Sequence, residues 1–152
     1  AEGALPAYLP FAIMKNESGY RPDVSSGAGA RGLMQLMPAV GQRLHTRLGL
    51  DGEYDAERLF DADYNAQLGT AELASLRARL ADSGVEPVLP LIIAGYNAGE
   101  TPVRRWLAGY SEPPEADRFA EDISYGETRR YVRRVLGTLQ IYRRIYGDPA
   151  PE

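Results

Sequence analysis

The 152 residues predict an all-α, mainly helical fold of six to eight helices around one buried central helix. Three observations predict it. Apolar residues recur at helical spacing through most of the chain. A nearly continuous apolar run, Val88 to Ala94, is flanked by helical segments and by the start signals Pro87 and Pro90. A stretch rich in glycine, from Gly19 to Gly32, breaks the early helical pattern as a folded loop or small hairpin.

The elements follow in order. Leu5, Leu9, Ile13 and Glu17 lie at i+4 spacing with Ala12 on the same stripe, which predicts a first helix with Pro6 in its first turn. After the loop a second helix begins at Pro38, with Val40, Leu44 and Leu48 inward. Asp51 to Asp63 reads as an irregular connection. Leu73, Leu76 and Leu80 then mark a long helix with Arg77 and Arg79 on its wet side, ended by Gly84. Val88 to Ala94 is the buried central helix, and Gly95-Tyr96-Asn97-Ala98-Gly99 is predicted as a turn. Thr101-Pro102 reads as a cap followed by proline at the first helical position, opening a short helix to Leu107. Pro113-Pro114 breaks the chain, a small helix surrounds Phe119, and Thr128, Tyr131, Val132, Val135, Leu139 and Tyr142 keep helical period in a last long helix. With no internal repeat and no low-complexity tract, residues 1–152 are expected to form one domain.

Composition excludes several functional classes. Apolar residues make up 44% and charged residues 25%, a globular balance that can bury a core. A formal charge of -4 argues against nucleic acid as partner, since holding phosphate backbones takes clustered cations. Without cysteine there is no disulfide scaffold, thiolate nucleophile or cysteine metal site, and the lone His45 cannot build a histidine cluster. His45 is expected at the surface or half-buried on the second helix, without a role. No apolar stretch reaches the ~20 residues of a membrane span, and no charged-then-apolar leader opens the sequence.

Glu17 is the residue that packing does not explain. It falls on the stripe of Leu5, Leu9 and Ile13, where a carboxylate loses hydration and its pKa rises, as a general acid requires near neutral pH. The alternative places Glu17 at the end of the helix, pointing to solvent.

Four motifs bear on the choice: Glu17-Ser18-Gly19-Tyr20; Gly29-Ala30-Arg31-Gly32-Leu33-Met34-Gln35-Leu36-Met37-Pro38; Tyr96-Asn97-Ala98-Gly99; and Glu127-Thr128-Arg129-Arg130-Tyr131-Val132. In order and spacing the series closely resembles the soluble lytic transglycosylases, over about residues 5 to 146. The resemblance implies a lysozyme-like fold and cleavage of the β-1,4 bond between N-acetylmuramic acid and N-acetylglucosamine, leaving 1,6-anhydro ends, with no metal or cofactor. By motif position Glu17 matches the catalytic glutamate. Gln35 and Met37 match groove residues, and Ser26 a serine that contacts substrate. Tyr96 and Asn97 match the pair facing the acid, Glu127 a contact to stem peptide or glycan, and Tyr131 the tyrosine that orients the glutamate. Gly95 and Ser124 depart from the alanine or serine and the proline of the family pattern, which bears on local backbone shape.

Each of these residues also has a purely structural reading. The glycines of Gly27 to Gly32 suit close approach of a ligand or a plain tight turn. Met34 and Met37 suit core gaps, with Met37 as sugar contact the rarer use. Tyr131 suits a core tyrosine in need of a hydrogen-bond partner, and the arginines of the last helix suit a solvated face. A hydrolase resembling goose-type lysozyme is the nearest rival, with Asp61, Asp63 and Glu127 as candidates to position water. A glycan-binding module without chemistry is a more distant one. The expected partner is the peptidoglycan strand, the expected state a monomer, and the compartment, inferred from function, the periplasm or cell envelope.

Overall fold

Prolines and glycines punctuate the chain, and the helices fall between them. The structure, a computed structural model, describes residues 4–147. They form α1 (Leu9–Glu17), α2 (Pro38–Arg47), α3 (Ala62–Leu80), α4 (Leu89–Ala98), α5 (Glu100–Leu107), α6 (Ala116–Asp122) and α7 (Gly126–Tyr146), with 3-10 turns at Ala56–Phe60 and Ala81–Ser83. Among the described residues β pairing is confined to two isolated bridges, Ser25–Arg31 and Arg31–Leu36, so the glycine-rich segment is a folded loop and not a regular hairpin. The chain divides into two compact units, one of residues 10–72 and one of residues 4–9 with 73–147.

In the first unit, Ala12, Ile13, Met34, Leu44, Leu59 and Leu68 are fully buried. The predicted irregular stretch from Asp51 to Asp63 contains the 3-10 turn, whose start is capped by Asp55 accepting from the Glu57 N–H, and α2 packs against it. Pro38 opens α2 as expected, but only Leu44 of its predicted inward set is buried; Val40 is half-buried and Leu48 exposed at the C-cap. The stripe shifts because His45 turns inward. It is 5% exposed, with Nδ1 2.8 Å from the Tyr64 hydroxyl and Nε2 3.0 Å from the Gly52 carbonyl. A carbonyl only accepts, so Nε2 carries a proton, and in the neutral ring Nδ1 accepts from Tyr64. The surface or half-buried placement expected for His45 is therefore corrected: it is buried and pins the Gly52 loop to α3.

The second unit is built on α4. Leu91, Ile92, Ile93 and Ala94 are at most 1% exposed, and the helix packs against α5, α6 and α7. Each of the three larger side chains contributes roughly 1.5–3 kcal/mol by burial. From α7 the stripe Tyr131, Val132, Val135 and Leu139 faces inward as the period predicts. Three expectations fail at helix ends. Leu5 and Pro6 precede α1, which starts at Leu9, where the backbone N–H donates to the Pro6 carbonyl. The predicted Gly95–Gly99 turn is the last part of α4, which continues to Ala98 and stops where Gly99 adopts φ 89°. Gly95 stays helical because packing outweighs its turn preference: a Cβ there would lie 3.0 Å from Leu76 Cδ2. Gly99 also serves as N-cap of α5, leaving Thr101 inside the helix without a capping role. Arg77 and Arg79 are half-buried: Arg79, its side chain 35% exposed, pairs with Glu100 at 2.6 Å, and Arg77 donates to the Ala4 carbonyl at 3.0 Å.

Candidate active site

Glu17 is the last residue of α1. Beyond it the chain leaves the helix through two successive left-handed residues, Gly19 at φ 60° and Tyr20 at φ 65°. The exit is closely tied. Ser18 and Gly19 donate backbone N–H groups to Met14 and Lys15, the buried Ser18 hydroxyl donates to the Met14 carbonyl, and Arg21 Nε donates to the Ser18 carbonyl. The Tyr20 hydroxyl donates to the Phe11 carbonyl at 3.1 Å. Glu17 is consequently half-buried, a correction to the fully inward position that the stripe predicts. The helix ends at this residue, so the stripe does not carry it to the bottom of the core. A carboxyl that is partly desolvated yet reachable has the exposure a general acid needs.

The glycine-rich loop of the same unit presents Ser26, Gln35 and Met37. The exposed Ser26 accepts the Ala30 N–H on its hydroxyl oxygen at 3.1 Å, holding a tight Ser26–Ala30 turn. Arg31 and Leu36 exchange backbone hydrogen bonds at 2.9 and 3.0 Å and close a turn over residues 32–35. Within it Gln35 takes φ 52°, a left-handed conformation costly for a residue with a Cβ. Its Nε2 donates to the carbonyls of Val24 and Gly32 at 3.1 and 2.9 Å, so Oε1 is the polar atom Gln35 still offers. Met37 is the extended N-cap residue of α2, with a side chain 42% exposed, so the core reading fails for it. It holds for Met34, which is fully buried against Gly69, where a Cβ would sit 2.3 Å from the sulfur.

Asn65, which the sequence reading passed over, holds this turn. Its fully buried side chain accepts the Met34 N–H at 2.8 Å and donates to the Arg31 and Leu59 carbonyls at 2.9 and 2.8 Å. Gly32 packs so closely that a Cβ would lie 2.0 Å from the Leu59 oxygen and 2.4 Å from Asn65 Nδ2. Glycine at 32 thus serves close approach within the protein; Gly27 and Gly29 have open space around them. The signal was the one that marked Glu17: a polar residue at an inward helical register, three before Leu68.

The second unit presents Tyr96, Asn97, Glu127 and Tyr131. Tyr96 and Asn97 form the last turn of α4, half-buried and exposed respectively. The Asn97 amide oxygen accepts from Thr128 Oγ1 at 2.8 Å, which leaves its NH2 pointing as that bond dictates. Thr128, 3% exposed, is a second positioning residue, which its period marks only as an inward position. Its neighbour Glu127 is exposed in the first turn of α7, and Tyr131, one turn on, is 3% exposed with Arg134 6.0 Å over its ring. Of the acids that might position water, Asp61 is already used, capping α3 by accepting the Tyr64 N–H at 2.8 Å; Asp63 is exposed. Among the described residues no group of three or more His, Asp or Glu side chains is arranged to hold a metal ion.

Known proteins resemble this chain over most of its length. Residues 2–119 match the family model of the Transglycosylase SLT domain. The soluble lytic murein transglycosylase of Escherichia coli (strain K12) is 33% identical over 144 residues, covering 95% of this chain and 22% of that protein. The crystal structure of the 70 kDa soluble lytic transglycosylase from Escherichia coli matches with a TM-score of 0.87 at 32% identity, over 96% of this chain and 23% of that one. The lytic transglycosylase Slt from Pseudomonas aeruginosa, solved as an inactive glutamate-to-glutamine mutant, matches with a TM-score of 0.82 at 34% identity, over 94% of this chain and 22% of that one. The chain therefore spans less than a quarter of the length of these relatives. By the extent of the family match and by its identity to relatives over nearly its whole length, the chain belongs to the Transglycosylase SLT domain family.

Proposed function

We propose that the chain is a peptidoglycan lytic transglycosylase that cleaves the β-1,4 bond between N-acetylmuramic acid and N-acetylglucosamine, with Glu17 as acid and then base. One observation carries the assignment to Glu17: it is the acidic residue of α1, half-buried at a helix end that five side-chain and backbone hydrogen bonds fix. The inactive glutamate-to-glutamine form of the Pseudomonas aeruginosa relative supports a reaction that depends on a glutamate.

In the proposed reaction the Glu17 carboxyl protonates the bridging oxygen and the glycosidic C–O bond breaks. The carbonyl oxygen of the sugar's own N-acetyl group stabilises the positive anomeric carbon. The Glu17 carboxylate then takes the proton of the 6-hydroxyl, whose oxygen closes onto that carbon. Glu17 ends protonated as it began, water is not consumed, and no metal or cofactor is called for. Gln35 Oε1 and the Met37 thioether are proposed to meet the sugar as acceptor and apolar surface, with Ser26 beside them on the same loop. Asn97, oriented by Thr128, offers N–H donors, Tyr96 accompanies it, and Glu127 meets the stem peptide or glycan. Tyr131 is given the role of orienting the glutamate, and its burial gives it the fixed position that role needs.

The domain is proposed to act as a monomer in the periplasm or cell envelope, on residues 1–152 as one functional domain. Among the described residues no helix is long and apolar enough to cross a membrane. The engagement of Asp61 as a helix cap weighs against the hydrolytic alternative. Glu17→Gln tests the assignment. The amide is nearly isosteric and cannot exchange the proton, so turnover on purified sacculi should vanish while the thermal midpoint stays within a few degrees of wild type. Turnover at the wild-type rate would remove Glu17 from the reaction.

A further inference from the structure

The second unit carries a hollow that none of these roles uses. It opens beside α5 and α6, has a volume of about 460 Å³, and is lined by Arg105, Trp106, Tyr110, Arg118, Phe119 and Asp122. That volume falls among those of small-molecule sites, roughly 300–1,000 Å³.

Its aromatic walls are held in place. Trp106 Nε1 donates to Ser124 Oγ at 2.8 Å, and the indole meets Tyr125 edge-on at 5.0 Å and Phe119 at 6.4 Å between ring centres. Tyr110 donates its hydroxyl to Asp122 Oδ2 at 2.9 Å, and burial followed by that carboxylate pushes its pKa up, keeping it protonated. Arg118 reaches Asp122 at 3.5 Å and lies 5.5 Å over the Tyr110 ring. The charge of Asp122 is thus already answered from within the hollow.

Arg105 is not. Its neighbour Arg104 is tied to Glu100 and Asp82, whereas Arg105 has no hydrogen-bond or ion-pair partner among the described residues. Two guanidinium groups therefore stand against one carboxylate, and the unpaired one lines the same hollow as the indole. A guanidinium grips a carboxylate through paired N–H groups, and an aromatic face accepts the aliphatic body attached to it. Where stems are attached, the sugar backbone of peptidoglycan carries no charge and has no use for such a cation; the peptide stems, which end in free carboxylates, do.

We propose that this hollow is an accessory subsite for the terminal carboxylate of a peptidoglycan stem peptide, with Arg105 pairing the carboxylate and Trp106 and Tyr110 flanking the aliphatic residue that bears it. The proposal rests on the reading of the chain as an enzyme acting on peptidoglycan, but its readout needs no turnover.

Trp106 is the chain's single tryptophan, so its fluorescence reports on this hollow. Titration with N-acetyl-D-alanyl-D-alanine, which carries one carboxylate, should give a saturable change in that fluorescence. The same dipeptide as its C-terminal amide should bind about tenfold or more weaker, and Arg105→Ala should weaken the acid to a similar degree. Arg105→Lys should fall between, since it keeps the charge and loses the fork. Equal binding of acid and amide, wild-type binding by Arg105→Ala, sodium acetate binding as well as the dipeptide, or no saturable change would each overturn the subsite. Cleavage of peptide-free glycan by the wild-type protein tests the parent reading separately: binding can fail with cleavage intact, and cleavage can fail with binding intact.

Discussion

Replacing Asn65 by alanine should show how the loop that bears Gln35 and Met37 is held. The substitution removes three hydrogen bonds of 2.8–2.9 Å: the Met34 N–H and the Leu59 carbonyl lose the bonds that Asn65 gives them in a buried setting, while the part-buried Arg31 carbonyl keeps the Leu36 N–H. A buried polar group stripped of its partner costs about 1–3 kcal/mol, so the two together cost roughly 2–6 kcal/mol. That is a large share of the 5–15 kcal/mol that ordinarily stabilises a domain. Taking about 3 kcal/mol, the thermal midpoint should fall by roughly 6–12 °C for a chain of this size. Asn65→Asp is the sharper form of the test, because it keeps the acceptor for Met34 and replaces the donor NH2 with an oxygen facing two carbonyls. It should be destabilised at neutral pH and recover part of the loss in acid, as the carboxyl gains a proton to donate. Thermal unfolding followed by circular dichroism measures both variants. A midpoint shift below about 2 °C in Asn65→Ala, under 1 kcal/mol on the same scale, would refute the idea that Asn65 holds the turn.

Two further outcomes follow from the other unit. Tyr131→Phe removes one hydroxyl from a buried position; if it orients a charged glutamate, the loss of about 1.5–3 kcal/mol should lower kcat about 10–100-fold with KM little changed, and unaltered kinetics would return Tyr131 to the core. The hydrogen bond from Arg104, and then Arg79, holds Glu100 below its ordinary pKa against the opposing effect of burial. Its folded value is depressed, so its contribution to stability is present above the unfolded value near 4.5 and is lost as pH falls through the folded value. Glu100→Gln should therefore flatten the acid limb of the thermal midpoint against pH, and superimposable acid limbs would contradict this.

Much of the fold was legible because burial and period agree where the core is thickest. Val88 to Ala94 and the Tyr131–Val132–Val135–Leu139 stripe are apolar at positions that the packing demands, and both helices form as read. Errors gather at helix ends, where local and tertiary preferences compete. Gly95 and Asn97 carry turn propensity, yet α4 continues because Leu76 needs the space that a Gly95 side chain would take. Thr101-Pro102 has the local form of a cap, yet Gly99, with no Cβ, makes the bend earlier. His45 was misplaced because its partners, the Gly52 carbonyl and the Tyr64 hydroxyl, belong to other segments and leave no mark on the local pattern. The candidate site was legible through its motifs. The contacts that hold it were not: Asn65 and Thr128 sit at inward helical registers, but their hydrogen-bond partners lie 31–34 positions away in sequence, which a local period does not identify.

Transglycosylation and hydrolysis break the same bond with the same acid and differ in what attacks the anomeric carbon. The sugar's own 6-hydroxyl has the advantage of proximity, worth roughly 7–11 kcal/mol in favourable geometry, so competition from water should be slight. Digestion of purified sacculi in oxygen-18 water, with mass spectrometry of the released muropeptides, tests the central claim most directly. The account predicts non-reducing 1,6-anhydro products, lighter by one water than hydrolytic products and free of the heavy oxygen. Reducing ends carrying oxygen-18 as the main product would contradict it and make the chain a hydrolase.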